Sequence, residues 1–276
     1  MILRNSCALK IKILKESLYV KKIKSLLQKI LTDYTILLRN IPSPTILFFV
    51  LSVVCANLMA NKELIQYKYL ALDCGFVFSW IMFLCMDIIC KRWGAKASVK
   101  ISLFALLVNL FVCLSFFILT QTQGYWAQAY SVEEELSFTV NTALNKTFGG
   151  SWFVVFGSTI AFLVSSIVNA LINALIGKKS KQLLKEDSFS HFALRSYTST
   201  FFAQFTDNFI FATLISRQFF GWSWQQILLC SLFGATCELL CEVFFSGIGF
   251  KILQKWEAEK VGEDYLAYRK NRKEQK

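Results

Sequence analysis

The sequence predicts an all-α, polytopic integral membrane protein with six transmembrane helices and both termini in the cytoplasm. Three observations predict it. Over half of the chain, 55%, is hydrophobic, including 27 Phe among 276 residues, and soluble domains are seldom so apolar. Six segments approach the length of about 20 residues that a bilayer requires. The basic residues, finally, fall on alternate sides of those segments.

Residues 1–44 precede the first span and read as a basic, amphipathic extension. Lys10, Lys12, Lys15, Lys21, Lys22, Lys24 and Lys29 are interleaved with Ile11, Leu14, Leu18, Ile23, Leu26, Leu27, Ile30 and Leu31. That pattern suits a helix lying on an anionic leaflet. A secretory signal would group its charges ahead of one apolar block, so none is expected. The only prolines, Pro42 and Pro44, stand where the first span begins.

The expected spans are 45–61, 70–90, 99–120, 152–176, 198–220 and 225–250. Segment 121–150 carries Glu133, Glu134 and Glu135 and reads as a loop with, at most, a short surface helix. Residues 251–276 mix basic and acidic side chains and read as a solvated cytoplasmic tail. The domain plan is therefore 1–44, a six-helix transmembrane bundle over 45–250, and 251–276. With the N-terminus inside, the cytoplasmic pieces hold 26 of the 30 Lys and Arg. Topology thus accounts for the positive charge, and no nucleic-acid motif accompanies it.

The polar residues inside the spans carry the functional reading. Gln204, Asp207 and Asn208 are spaced i, i+3, i+4 and share one helix face. Placing a carboxylate near the middle of a membrane costs about 2.5–3.5 kcal/mol even on lenient insertion scales. Asp73, Ser79 and Asp87 fall in the second span, and Ser158, Ser165, Ser166, Asn169 and Asn173 on one side of the fourth. Glu238, Glu242 and Ser246 share a face of the sixth. Polar groups between membrane helices also serve as packing contacts, which accounts for Asn, Ser and Thr. It does not account for ionisable groups without cationic partners. Asp207 and Glu242 are the main candidates to bind a ligand, with Glu238 a candidate for binding or ion coupling. Asp87 lies one turn from Lys91 and Arg92, so a structural ion pair is its alternative.

Catalysis and metal chemistry have little support. The single histidine, His191, is expected in a cytoplasmic loop, and the nine cysteines form no Cys-x-x-Cys or Cys/His cluster. Most lie in apolar stretches as small filler residues. No catalytic pair, resident metal, cofactor or phosphate-binding Gly loop is expected.

These residues carry a resemblance. Phe78-Ser79-Trp80-Ile81-Met82-Phe83-Leu84-Cys85-Met86-Asp87, followed by Gly94, and Ser196-Tyr197-Thr198-Ser199-Thr200-Phe201-Phe202-Ala203-Gln204-Phe205-Thr206-Asp207-Asn208-Phe209-Ile210-Phe211 resemble the VUT family of bacterial vitamin uptake transporters. Asn57-Leu58-Met59-Ala60 with Lys62, and Glu242-Val243, fit it too. The resemblance spans about 45–255. Where the family tends to carry particular charged residues or, at Ser166, a Gln, this chain shows departures: Lys91, Phe153, Ser166, Asn169 and Glu238.

The resemblance implies uptake of queuosine precursors, 7-cyano- or 7-aminomethyl-7-deazaguanine, or a related purine or vitamin, across the inner membrane of a bacterium. It implies substrate contacts from Asp207, Gln204, Asn208, Asn169 and Glu242. Glu238, Asp87 and Asp73 are expected to couple transport to a proton or sodium ion or to serve structure. The partners expected are the substrate and the lipid bilayer, with a homo-oligomer or energising subunits left open. A substrate-capture subunit working with separate ATPase proteins is the alternative function, and an intramembrane enzyme a more distant one.

Overall fold

The computed structural model describes residues 2–60, 62–124, 126, 134–150, 152–180, 184–185 and 188–274. The chain is almost entirely helical, as an apolar sequence must be where no water can satisfy its backbone. Contacts divide it into two compact units, Pro44–Val261 and Met1–Ser43 with Gly262–Lys276.

In the larger unit, α2 (Ser43–Met59) leads into a β-hairpin, β1 (Glu63–Tyr67) and β2 (Leu70–Asp73). After it come α3 (Phe76–Trp93), α4 (Ala95–Thr120), α5 (Glu134–Gly150) and α6 (Trp152–Ser180). The unit closes with α7 (Phe189–Phe211), a π-helical turn (Ala212–Ser216), α8 (Arg217–Phe220) and α9 (Trp224–Ala258). Helix α7 packs along α6 and α9, and α3 packs against α4, α6 and α9. Residues Met82–Cys90 of α3 are buried without interruption. That helix turns no apolar stripe to lipid there; it is core on every side.

Three helical stretches, Ala95–Thr120, Phe138–Ser180 and Trp224–Ala258, are each long and apolar enough to cross a bilayer alone. The six-span expectation also needs α2, α3 and α7. Helix α2 has only 17 residues, α3 carries Asp87, Lys91 and Arg92, and α7 carries His191, Arg195 and Asp207. An all-α membrane protein is what the fold shows; among the described residues three helices meet the length and apolarity of a span, or four if one bent pair counts as a single span.

Several boundaries differ from expectation for physical reasons. Residues 70–73 do not open a helix but pair antiparallel with β1, Glu63 opposite Asp73 and Tyr67 opposite Leu70. The Asp73 carboxylate accepts the Gly75 N–H at 2.7 Å, an Asx-type contact that competes with helix and starts α3 only afterwards. A Cβ on Gly75 would come within 2.6 Å of the Ala56 carbonyl oxygen, so only glycine lets the hairpin sit this close to α2. Helix α7 begins nine residues earlier than expected, at Phe189, where the Ser188 side chain accepts the His191 N–H as an N-cap. The 134–150 segment is a full helix rather than a loop, while the expected loop residues 127–133, Glu133 among them, lie outside the described residues.

The smaller unit pairs the two chain ends. Helix α1 (Ile2–Asn40) contacts α10 (Glu263–Glu274). Arg272 Nη1 donates to Asp33 Oδ2 at 2.8 Å, and the Tyr265 N–H donates to Asn40 Oδ1 at 3.2 Å. The C-terminal tail is thus a folded helix. Side chains of residues 2–20 lie outside the described residues. From Lys21 onward α1 exposes Leu26, Leu27, Ile30 and Leu31 beside its lysines.

Candidate substrate site

Helices α3, α6, α7 and α9 each bring polar side chains to two centres. In the first, Ser165 on α6 donates to Asp207 Oδ1 on α7 at 2.8 Å. Ser79 on α3 donates to Glu238 Oε1 on α9 at 2.7 Å. Asn57 on α2 accepts from Ser158 on α6. This centre borders open space. A cavity of about 60 Å³ is lined by Asp73, Asn57, Asp207, Asn208 and Glu238, among others. A second, of about 200 Å³, shares Ala60, Asp73, Phe76, Asn208, Phe211 and Glu238 with it and adds Glu63, Phe153 and Trp222. One water occupies about 30 Å³ of liquid, so the larger space admits a small organic molecule.

Hydrogen-bonding capacity remains unused around this space. Glu238 Oε2 and Asn208 Nδ2 are buried and have no partner among the described residues. Such groups cost about 1–3 kcal/mol each while unpaired, which favours whatever ligand supplies the missing donor and acceptor. The π-helical turn begins at Ala212, one helical turn after Asn208; π-turns inside helices occur frequently at functional sites. Asp73, on the hairpin outside the spans, has its carboxyl lifted by burial to about 6, with the Gly75 N–H working against the rise and Glu63 adding to it.

The second centre is closed. Asp87 on α3 is fully buried. It accepts from Asn169 Nδ2 on α6 at 2.7 Å and from Ser196 Oγ on α7 at 2.5 Å. Ser199 and Thr200 stand 3.3 Å from its oxygens. Ser196 also contacts Glu242 on α9. Arg195 donates twice to Asn173 Oδ1, at 3.2 and 2.6 Å, and Asn173 donates to Ser199. Glu242 Oε2 and Asn169 Oδ1 have no partner among the described residues. Neither cavity reaches Asp87 or Glu242.

The expected site residues therefore separate. Asp73, Asp207, Asn208 and Glu238 line open space; Asn169, Glu242 and Asp87 meet in the closed centre. Gln204 is buried between them along α7, its Nε2 without a partner among the described residues. Glu238 and Glu242, four residues apart, each bond to a different serine rather than to one another.

Sequence reasoning missed Ser196 and Ser199 as contacts of Asp87, and Glu63 as a lining residue. It also placed His191 and Arg195 in a loop. Both are buried in α7, where the His191 ring lies 3.4 Å from Gly177 O and from Lys91 Nζ. The signal was present: Ser196, Thr200, Gln204 and Asp207 continue one face at three- and four-residue steps. A hydropathy window ending that helix at His191 and Arg195 hid it.

Comparison with known protein families gives one match: the family described as "Putative vitamin uptake transporter" aligns with residues 73–255. No curated protein and no solved structure matches the chain. The family match covers well over half of the chain and includes α3, α6, α7 and α9. The chain belongs to that family.

Proposed function

We propose that this member of the vitamin uptake transporter family imports a small, planar, polar metabolite, a queuosine precursor of the 7-deazaguanine type, across the inner membrane of a bacterium. In this reading the chain crosses the membrane six times with both termini in the cytoplasm, following its charge alternation. One observation carries the substrate class: a cavity sized for a small molecule, walled by carboxylates, an amide and aromatic rings, in which Glu238 Oε2 and Asn208 Nδ2 have no partner among the described residues.

A 7-deazaguanine presents a ring N–H and an adjacent amino group side by side, and a carboxylate accepts the two together. Asp207 fills that role. The Asn208 amide donates to the carbonyl edge of the base. Phe76 and Phe211, which line both cavities, offer faces for its ring. Away from water such paired bonds gain strength, which offsets the cost of burying the carboxylates.

The closed centre suits ion coupling. Ser196 has one hydroxyl hydrogen yet contacts both Asp87 and Glu242. One contact takes that hydrogen, and the other is satisfied by a carboxyl hydrogen. A proton held between two helices is what a proton-coupled carrier must load and release. Uptake that is indifferent to a proton ionophore would overturn this part.

The test of the whole reading is uptake of labelled 7-cyano- and 7-aminomethyl-7-deazaguanine by cells unable to make them. The wild type should accumulate label and Asp207→Asn should not. Equal uptake by both proteins removes Asp207 from the site, and none by either, with both in the membrane, rejects this substrate. Import by the purified protein in liposomes would further separate a self-sufficient carrier from a capture subunit that needs energising partners.

A further inference from the structure

We infer that the molecule held in this cavity carries a positive charge, a protonated amine or amidine attached to its flat ring. The inference rests on the transport reading above and narrows its substrate class. The two spaces, which share part of their walls, are lined by four carboxylates, Glu63, Asp73, Asp207 and Glu238, and by no Lys, Arg or His among the described residues. The positive side chains nearby in sequence are turned elsewhere. Arg217 lies over the Trp224 ring at 4.1 Å, Lys68 over Tyr69 at 5.2 Å, and Lys62 is exposed.

Like charges gathered at one site oppose each other's ionisation, whereas a cation between them favours it. Glu238 supplies the specific anchor. Its Oε1 is answered by Ser79, but Oε2 is buried in the cavity wall with no partner among the described residues, and the residue is only 4% exposed. An ammonium group donates three hydrogens and accepts none, so it fits a wall that mostly accepts. Phe76, Phe211 and Trp222 add ring faces that attract a cation as well as a heterocycle. A neutral substituent such as a nitrile offers no donor, and it would leave Glu238 unanswered.

The experiment has two arms at neutral pH. In cells unable to make either compound, labelled 7-aminomethyl-7-deazaguanine, whose amine is protonated, competes with its neutral 7-cyano counterpart. We expect at least a tenfold preference for the amine, about 1.4 kcal/mol. Glu238→Gln should reduce the preference to below threefold, chiefly by loss of amine uptake. Should Glu238→Gln not reach the membrane, Glu63→Gln at the rim should still lower the preference. Equal uptake of the two compounds overturns the inference and leaves the transport reading standing.

The second arm does not depend on either precursor. Thermal unfolding of the purified protein is followed with benzamidine, a planar cation, and with benzamide, its neutral isostere. Stabilisation by benzamidine alone supports the charged ligand even if neither precursor is taken up, in which case only the named substrate fails. Equal response to the two, or none to either, overturns it.

Discussion

The two polar centres are made by the same four helices yet have opposite characters. Ser79, Ser165, Asp207 and Glu238 meet beside open space, whereas Asp87, Asn169, Ser196 and Glu242 meet in a closed interior. Each helix contributes one residue to each set. The difference lies in where the hydrogen bonds go. Asp87 draws on donors from α6 and α7 that surround it, while Asp207 and Glu238 at the cavity each take a single serine, and Glu238 Oε2 has no partner among the described residues. A polar network buried among helices holds them together; one beside a void has room for a ligand's hydrogen bonds as well.

The largest expected effect tests the closed centre. Asp87→Ala takes the shared acceptor from Asn169, Ser196, Ser199 and Thr200 and should cost about 3–5 kcal/mol of stability. Thermal unfolding in detergent measures it, and an unchanged midpoint would mean that the network does not hold the bundle. The converse is expected of Asp207→Asn. Ser165 can still donate to the new amide oxygen, so stability should change by less than about 1 kcal/mol, whereas substrate uptake should fall about 10–100-fold. If both variants lose stability equally, the contrast between the centres collapses.

A smaller effect is expected at the hairpin that brings Asp73 to the cavity. In Gly75→Ala the new Cβ meets the Ala56 carbonyl oxygen at 2.6 Å and Asp73 Oδ1 at 2.7 Å, so backbone must shift at about 1–3 kcal/mol. Gly247→Ala in α9 is the control. Nothing lies within 4 Å of its added Cβ, and helix propensity should leave it neutral or slightly stabilised. Equal melting of the two variants would show that the hairpin is not held by this approach.

The smallest effect is a pH slope from Asp73. Its folded carboxyl titrates near 6, raised mainly by burial from a usual value of 3.8. Between those values the folded state binds more protons than the unfolded state, so stability falls as pH rises from about 4 to 6 and then levels. Asp73→Asn should flatten this part of the profile. A slope unchanged by the substitution would place Asp73 in contact with water rather than in a buried wall.

Read along the chain, some of this was legible without coordinates. Apolar segments of bilayer length meant helices, because no other open structure satisfies its backbone in lipid. Three- and four-residue spacing identified the polar faces bearing Asn169, Asp207, Glu238 and Glu242, and the residues around Asp87 and Asp207 pointed to the family. Hydropathy misjudged the ends of α3 and α7. It averages over a window, whereas the Asp73–Gly75 turn and the Ser188 cap act through single hydrogen bonds.

What only the tertiary structure decided is which carboxylate meets which partner. Periodicity tells which way a side chain points from its own helix but nothing of the height at which a neighbouring helix meets it. Glu238 and Glu242 share a face and differ by one turn, and that single turn sends one to Ser79 at the cavity and the other to Ser196 in the closed centre. The relative shift of packed helices is set by how their side chains interdigitate along the whole contact, and no local stretch of sequence contains it.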